Sequence, residues 1–212
     1  NLTDEVNLYG SISVGRREPA LTNIFDPAFF FGDPDRRQGF EDYDPAANTV
    51  SNPRLEAEKL NNWEFGAGYV KPWLLAKANL YRMDFDDEIV ATGTVLNTGA
   101  FEHQNAGRSI HQGIELAVTL RPAGRVTVGG DVAFSDNTLE RFPEPSLEGN
   151  EIPNFPNRLA NLRLTYSDRG FWISARLRHV GSSYFDLQNS PGNKVDAYSA
   201  VNLRMSYRLQ QV

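Results

Sequence analysis

Three histidines, His103, His111 and His179, are the only imidazoles in the 212 residues, and there is no cysteine. Without thiols, disulfide frameworks, thiolate catalysis and cysteine-type zinc sites are excluded together. A histidine metal site would need the rings to converge with a carboxylate. His103 and His111 lie near one predicted loop but lack tight ligand spacing, so polar rim positions are the simpler reading. The acidic run Asp33, Asp35, Glu41, Asp42 and Asp44 has the charge for calcium but not the fixed Asp/Gly spacing of a calcium loop. Asp84, Asp86, Asp87 and Glu88 could supply an acid pair, although carboxylates at a strand exit are ordinarily hydrated. No Gly-x-Ser-x-Gly elbow, phosphate loop or dinucleotide fingerprint is present, and the chain reads as a non-enzyme with no cofactor implied. The richest segment is the stretch from 16 to 43. It sets Phe25, Phe29, Phe30, Phe31, Phe40 and Tyr43 beside Arg16, Arg17, Arg36 and Arg37. Apolar side chains on a solvent-facing loop must pack on something. Either the loop packs on its neighbours, or Arg16, Arg17, Phe29, Phe30, Phe31 and Tyr43 form a ligand-binding surface, with arginine forks for anionic groups.

Those residues need elements to hold them. The dominant pattern is alternation of period two in segments of about nine to eleven residues, the length a tilted strand needs to cross a bilayer. From Glu5 to Gly15, Val6, Leu8, Gly10, Ile12 and Val14 alternate with Asn7, Tyr9, Ser11 and Ser13. The split recurs as Trp63, Phe65, Ala67 and Tyr69 against Asn62, Glu64, Gly66 and Gly68. Ile114 to Leu120, Val126 to Phe134, Ala160 to Tyr166, Phe171 to Leu177 and Val201 to Leu209 alternate likewise. Between Leu74 and Ile89 two apolar sets run out of phase, Leu74, Ala76, Ala78 and Leu80 against Tyr81, Met83 and Phe85. A face-swapping bulge would reconcile them. Eight strands are predicted.

Short Pro/Gly turns at 70–73, 121–124 and 167–170 alternate with long connections at roughly 16–57, 86–108, 136–156 and 181–195. Long loops at one end and tight turns at the other describe an all-β, antiparallel transmembrane β-barrel, with the short turns in the periplasm. Aromatic residues near strand ends, among them Trp63, Trp73, Tyr166 and Tyr207, fit interfacial girdles. Hydrophobic residues at 40% and charged residues at 23% exclude disorder. No run of eighteen apolar residues occurs, so no transmembrane helix is expected, and barrel strands average out as polar. The net charge of -6 and the lack of a basic stripe argue against a nucleic-acid partner. Asn1-Leu2-Thr3-Asp4-Glu5 lacks the basic and apolar parts of a signal peptide, and a start mid-protein is expected.

Several segments resemble the β-barrel of TonB-dependent receptors. Asn7 to Pro19 looks like the family's strand that ends in an Arg-x-Pro stretch. Asn52-Pro53-Arg54-Leu55-Glu56-Ala57-Glu58, followed by Asn62-Trp63-Glu64-Phe65-Gly66, is similar to its "NPxLxPE…xxExG" signature, with Ala57 where Pro is common. Leu80 to Ile89, then Asn105-Ala106-Gly107 with Gly113-Ile114-Glu115, resemble the next two stretches, and Gly149 to Pro156 the loop after them. The plug, the TonB box and the family's closing strands with their C-terminal aromatic residue are missing.

The resemblance implies one barrel domain over 1–212, about eight strands of a roughly 22-stranded barrel around a plugged lumen. It implies a receptor in the outer membrane of a Gram-negative bacterium, with the lipid bilayer, the TonB energising complex and a small nutrient as partners. A ferric siderophore or other iron chelate is the first expected ligand, because such ligands are common in the family. Lumen-facing Arg163, Arg176, Arg178, Arg204 and Arg208 are expected to pair with acids across strands or from the plug. Two alternatives stay open: a small outer-membrane barrel serving as anchor or adhesin, and a soluble secreted β-sandwich binding module. In a small barrel, inward Gly66, Gly68, Gly129 and Ala117 would leave the interior underfilled.

Overall fold

The computed structural model describes residues 4–20, 40–44, 49–53, 55–95 and 101–209. In chain order the strands are β1 (Val6–Arg17), the short β2 (Phe40–Asp44) and β3 (Thr49–Pro53), β4 (Glu58–Lys71), β5 (Leu74–Val95), β6 (Phe101–Ala123), β7 (Val126–Arg141), β8 (Arg158–Asp168), β9 (Phe171–Val180), the two-residue β10 (Ser183–Tyr184) and β11 (Lys194–Val195), and β12 (Tyr198–Tyr207). Eight of them form one antiparallel sheet in the order β1-β4-β5-β6-β7-β8-β9-β12. These are the eight predicted strands, each beside its neighbour in sequence. The sheet is open: β1 and β12 are its edges among the described residues. The pairs β2–β3 and β10–β11 lie within the long connections at one end.

The register turns the sequence alternation into two faces. Ile12 pairs with Trp63, Phe65 with Leu80, Leu80 with Ile114, and Ile114 with Phe134. Gly130 then pairs with Leu162, Leu162 with Leu177, and Leu177 with Val201. One face is thus a continuous apolar band, and it is bare: Ile12 is 69% exposed, Leu162 50% and Val201 74%. No second layer covers it among the described residues, so the greasy faces do not meet in the dry core that a sandwich requires.

The other face is polar and covers its own gaps. The Tyr9 ring and the Asn7 amide lie across Gly66 and Gly68 on the next strand, where a Cβ would collide with them. The Tyr9 hydroxyl thereby reaches over β4 to donate to Asn79 Oδ1 at 3.0 Å. Glycine at 66 is what lets a ring bridge three strands.

Two expectations need correction. The register of β5 against β6 is unbroken from Leu74↔Leu120 to Asp86↔Arg108, so no bulge separates the two apolar sets. Leu74, Ala76, Ala78 and Leu80 lie on the apolar face, and Tyr81, Met83 and Phe85 on the polar face opposite. Beyond Leu80 the apolar face becomes charged at Arg82 and Asp84, which form an ion pair at 3.0 Å. A face swap does occur, but later: Asp87 adopts φ 59, and the Glu88 side chain turns toward His111 and Ser109. The long connections are also more ordered than expected. β5 runs to Val95, β6 starts at Phe101 and β7 reaches Arg141, so most of 86–108 is ladder.

Candidate functional site

The end of the sheet that carries the long connections holds a small core of its own. Val90, Ala106, Leu139, Phe142, Leu147, Ile152 and Leu187 pack together, none more than 5% exposed. They come from the extensions of β5, β6 and β7 and from the connections after β7 and β10. Hydrogen bonds sew the two connections together: Asn150 Nδ2 donates to the Leu187 carbonyl at 2.7 Å, and the Glu151 amide donates to Asn189 Oδ1 at 2.7 Å. Asp186 anchors the second connection. It is buried, which disfavours its charge, yet Asn193 Nδ2 at 2.7 Å and the Ser190 amide at 3.0 Å donate to its carboxylate. The donors outweigh burial and hold the carboxyl below its ordinary value. Beside it opens a polar cavity of about 560 Å³ lined by Thr92, Glu102, Phe142, Asp186 and Asn193, among others.

On the polar face just below, Glu58, Glu88 and His111 are buried and partnered, Glu58 by an exposed arginine. Arg17 grips Glu58 with two bonds, Nε to Oε1 at 2.7 Å and Nη2 to Oε2 at 2.8 Å. Glu58 also accepts the Ile89 amide at 3.2 Å. Glu88 accepts from the Ser109 hydroxyl and faces His111 Nε2 at 3.0 Å. His111 Nδ1 meets Asn137 Oδ1 at 2.9 Å, so both ring nitrogens face acceptors. The ring stands edge-on between Phe85 and Phe155 at 5.3 and 4.9 Å. The network ties β1, β4, β5, β6 and β7 together where the sheet meets its loops.

The predicted site residues fall as follows. Arg17 is in that network, committed to Glu58. Arg16 points to the other side and pairs with Glu18 at 3.1 Å. Tyr43 is on β2, its backbone opposite Val50. Phe29, Phe30 and Phe31 lie outside the described residues, as do Phe25, Arg36, Arg37, Asp33 and Asp35. The three histidines do not converge: His111 is in the network, His179 bonds Ser199 Oγ at 3.0 Å, and His103 is paired opposite Ala91. Among the described residues no group of three or more His, Asp or Glu is arranged to hold a metal. Sequence reasoning missed Glu58, Ser109 and Asn137. Glu58 and Asn62 stand on the polar phase of β4, and that phase was the available signal; their partners, 31 to 49 residues distant, were not readable.

The full chain, residues 1–212, matches the family described as TonB dependent receptor-like, beta-barrel. The chain belongs to that family. Solved receptor structures share its fold at low identity. A copper transporter superposes with a TM-score of 0.72 at 18% identity, covering 100% of this chain and 30% of its own length. The ferric yersiniabactin uptake receptor of Yersinia pestis gives 0.67 at 18%, covering 97% and 28%. A ferric enterobactin receptor of Pseudomonas aeruginosa gives 0.68 at 20%, covering 100% and 32%. This receptor segment therefore spans about a third of the solved chains it matches. The TonB-dependent receptor family is one of bacterial outer membranes, which accounts for a bare apolar band that water would not tolerate. In this receptor segment the Glu58 and His111 network stands at the top of the barrel wall, under the loops.

Proposed function

We propose that this chain is the wall of an outer-membrane active-transport receptor that takes up a scarce nutrient, first of all a ferric siderophore or other iron chelate, energised through TonB. The observation that supports the reading is the single-layer sheet with one bare apolar face and one polar, hydrogen-bonded face. Such a sheet is stable only with hydrocarbon on one side and a water-lined or protein-filled interior on the other. The chain contributes eight strands of a larger barrel, whose plug and remaining strands are supplied from outside residues 1–212. Ligand capture falls to the loop end, with Arg16, Arg17, Phe29, Phe30, Phe31 and Tyr43 as the candidate contacts.

The test is uptake of radioactive iron, presented as a panel of ferric siderophores, by Gram-negative cells expressing the full-length receptor. Accumulation of at least one chelate that disappears on deleting tonB is expected. Accumulation that persists without TonB, or no uptake of any iron chelate by a receptor verified in the outer membrane, would refute the assignment. A copper-limited arm run in parallel identifies the cargo if iron fails.

A further inference from the structure

Hydrogen-bond donors run in one direction from His111 to the connection after β7. The imidazole stands on β6 above the apolar band, outside the hydrocarbon, and is 6% exposed. Its Nε2 faces the Glu88 carboxylate at 3.0 Å, and its Nδ1 faces Asn137 Oδ1 at 2.9 Å. The orientation of that amide is set from behind, because Asn137 Nδ2 donates to Ser135 Oγ at 3.2 Å. The single proton of the Ser135 hydroxyl goes to the Pro156 carbonyl at 3.2 Å. Each member thus gives a proton to the next, and the series starts at the ring. A neutral imidazole has one N–H and one acceptor nitrogen, whereas an imidazolium donates from both. Only the imidazolium can serve Glu88 and Asn137 together. The ring also touches the connection directly, with Phe155 edge-on at 4.9 Å.

We infer that His111 is a proton-operated latch, which ties residues 154–157 to the barrel wall while the ring is doubly protonated. The inference goes beyond the transport reading and holds whatever the receptor carries. When the Nδ1 proton leaves, that nitrogen becomes an acceptor facing an acceptor. The Asn137 amide then turns to offer its Nδ2. Its Oδ1 comes to face Ser135 and takes the hydroxyl proton, and the Pro156 carbonyl loses its donor. The Ser135 amide still donates to the Asn157 carbonyl at 3.0 Å, so the segment loosens without leaving the wall. The charges that act on the ring come from two sides. Glu88 faces it from β5, and Glu58 acts from β4 with Arg17 of β1 bonded to it. Among the described residues β7 and the connection present Asn137 and Phe155 to the ring, neither ionisable. Tyr81 on β5 contacts Ser135, and a tyrosine ordinarily keeps its proton to about pH 10. Burial opposes charge on the ring, but Glu88 and Asn137 outweigh it and hold the imidazole above its ordinary value of 6.5. A raised folded pKa gives a contribution fully present below the unfolded value and lost as pH rises through the folded one. The latch is closed in acid and opens on the alkaline side.

Deuterium exchange of the histidine C2 protons, read by mass spectrometry on the purified full-length receptor in detergent from about pH 5 to about pH 9, tests this. Trypsin cuts at Arg108 and Arg178, so His103, His111 and His179 fall in separate peptides. His111 is expected to titrate above 6.5. Amide protection over 154–157, corrected for intrinsic rates, is expected to fall at the same pH by about fivefold, the worth of one net hydrogen bond. Glu88→Ala combined with His111→Phe leaves no ionisable pair, and its protection should be level across that range. Ser135→Ala leaves the ring and Glu88 in place but removes what orients the Asn137 amide, so His111 should titrate lower than in wild type. A serine with a merely structural role would not move that value. Titration of His111 at or below 6.5, an unshifted His111 in Ser135→Ala, or the same protection step in the double variant would each overturn the proposal. Asn137→Leu serves if Ser135→Ala loses the heat-modifiable migration of a folded barrel. There His111 should still titrate while the step over 154–157 disappears, and a step that persists overturns the proposal equally.

Discussion

Glu88 and His111 are each less than a tenth exposed, and neither would tolerate burial alone. Together with Ser109 and Asn137 they form a closed set in which the carboxylate accepts from a hydroxyl and an imidazole. Breaking a buried pair by removing one partner costs about 3–5 kcal/mol, because the survivor stays buried without compensation. Glu88→Ala is therefore expected to destabilise the full-length receptor by about 3 kcal/mol, read as a lower midpoint in urea unfolding in detergent. Glu88→Ala together with His111→Phe is expected to recover much of the loss, since an apolar pair leaves no orphan. A single variant within about 0.5 kcal/mol of wild type, the level of an ordinary surface change, would contradict this account. The sequence made these residues visible only one at a time. His111 read as a rim polar group and Glu88 as a hydrated carboxylate, because a pairing across 23 residues depends on register and on the left-handed turn at Asp87.

At the scale of elements, all eight sheet strands were legible because each crosses the apolar band, where one face must be greasy and the other polar. Their ends were not. Beyond Leu80 on β5 and before Ile114 on β6 neither face meets hydrocarbon, so alternation fades while the backbone ladder continues. The small loop core was invisible for a related reason: Leu139, Ile152 and Leu187 carry no periodicity and come from three separate stretches. Asp186 gives that loop region a pH signature. Its carboxyl is held below the ordinary value by Asn193 and Ser190. A depressed carboxylate contributes stability that is fully present above its unfolded pKa of about 3.9 and is lost as pH falls through the lower folded value. Amide-exchange protection over 186–193, corrected for intrinsic rates, is expected to be the same at pH 7 and pH 5 and to drop only once the pH falls below the ordinary carboxylate range. Asp186→Asn should flatten that profile. An unchanged acid drop in the variant would assign the transition to another group.

The whole sheet poses a problem that no single residue or strand poses. Its apolar face exposes Ile12, Trp63, Phe65, Leu162, Val201 and Met205 side by side, from 50% to 74% accessible, in a patch far beyond what a soluble monomer presents. Among the described residues its two edges, β1 and β12, each have a neighbouring strand on one side only and so present a ladder to any other chain. Water penalises both features, and closure into a larger barrel within a bilayer removes both at once. Residues 1–212 expressed alone are therefore expected to be insoluble in plain buffer and, once refolded in detergent, to elute as heterogeneous oligomers rather than as a monomer. The measurement is size-exclusion chromatography with light scattering, in buffer and in detergent. A monomer with a cooperative melt in detergent-free buffer would mean that something within the chain covers the apolar face, and the barrel-wall reading of the whole molecule would fail with it. The polar face points the same way. On β8, β9 and β12 its positions carry Arg163, Arg176, Arg178 and Arg204 and no acid, with Arg163 directly opposite Arg176, so detergent, which replaces only the lipid, is expected to rescue solubility without rescuing a single folded species.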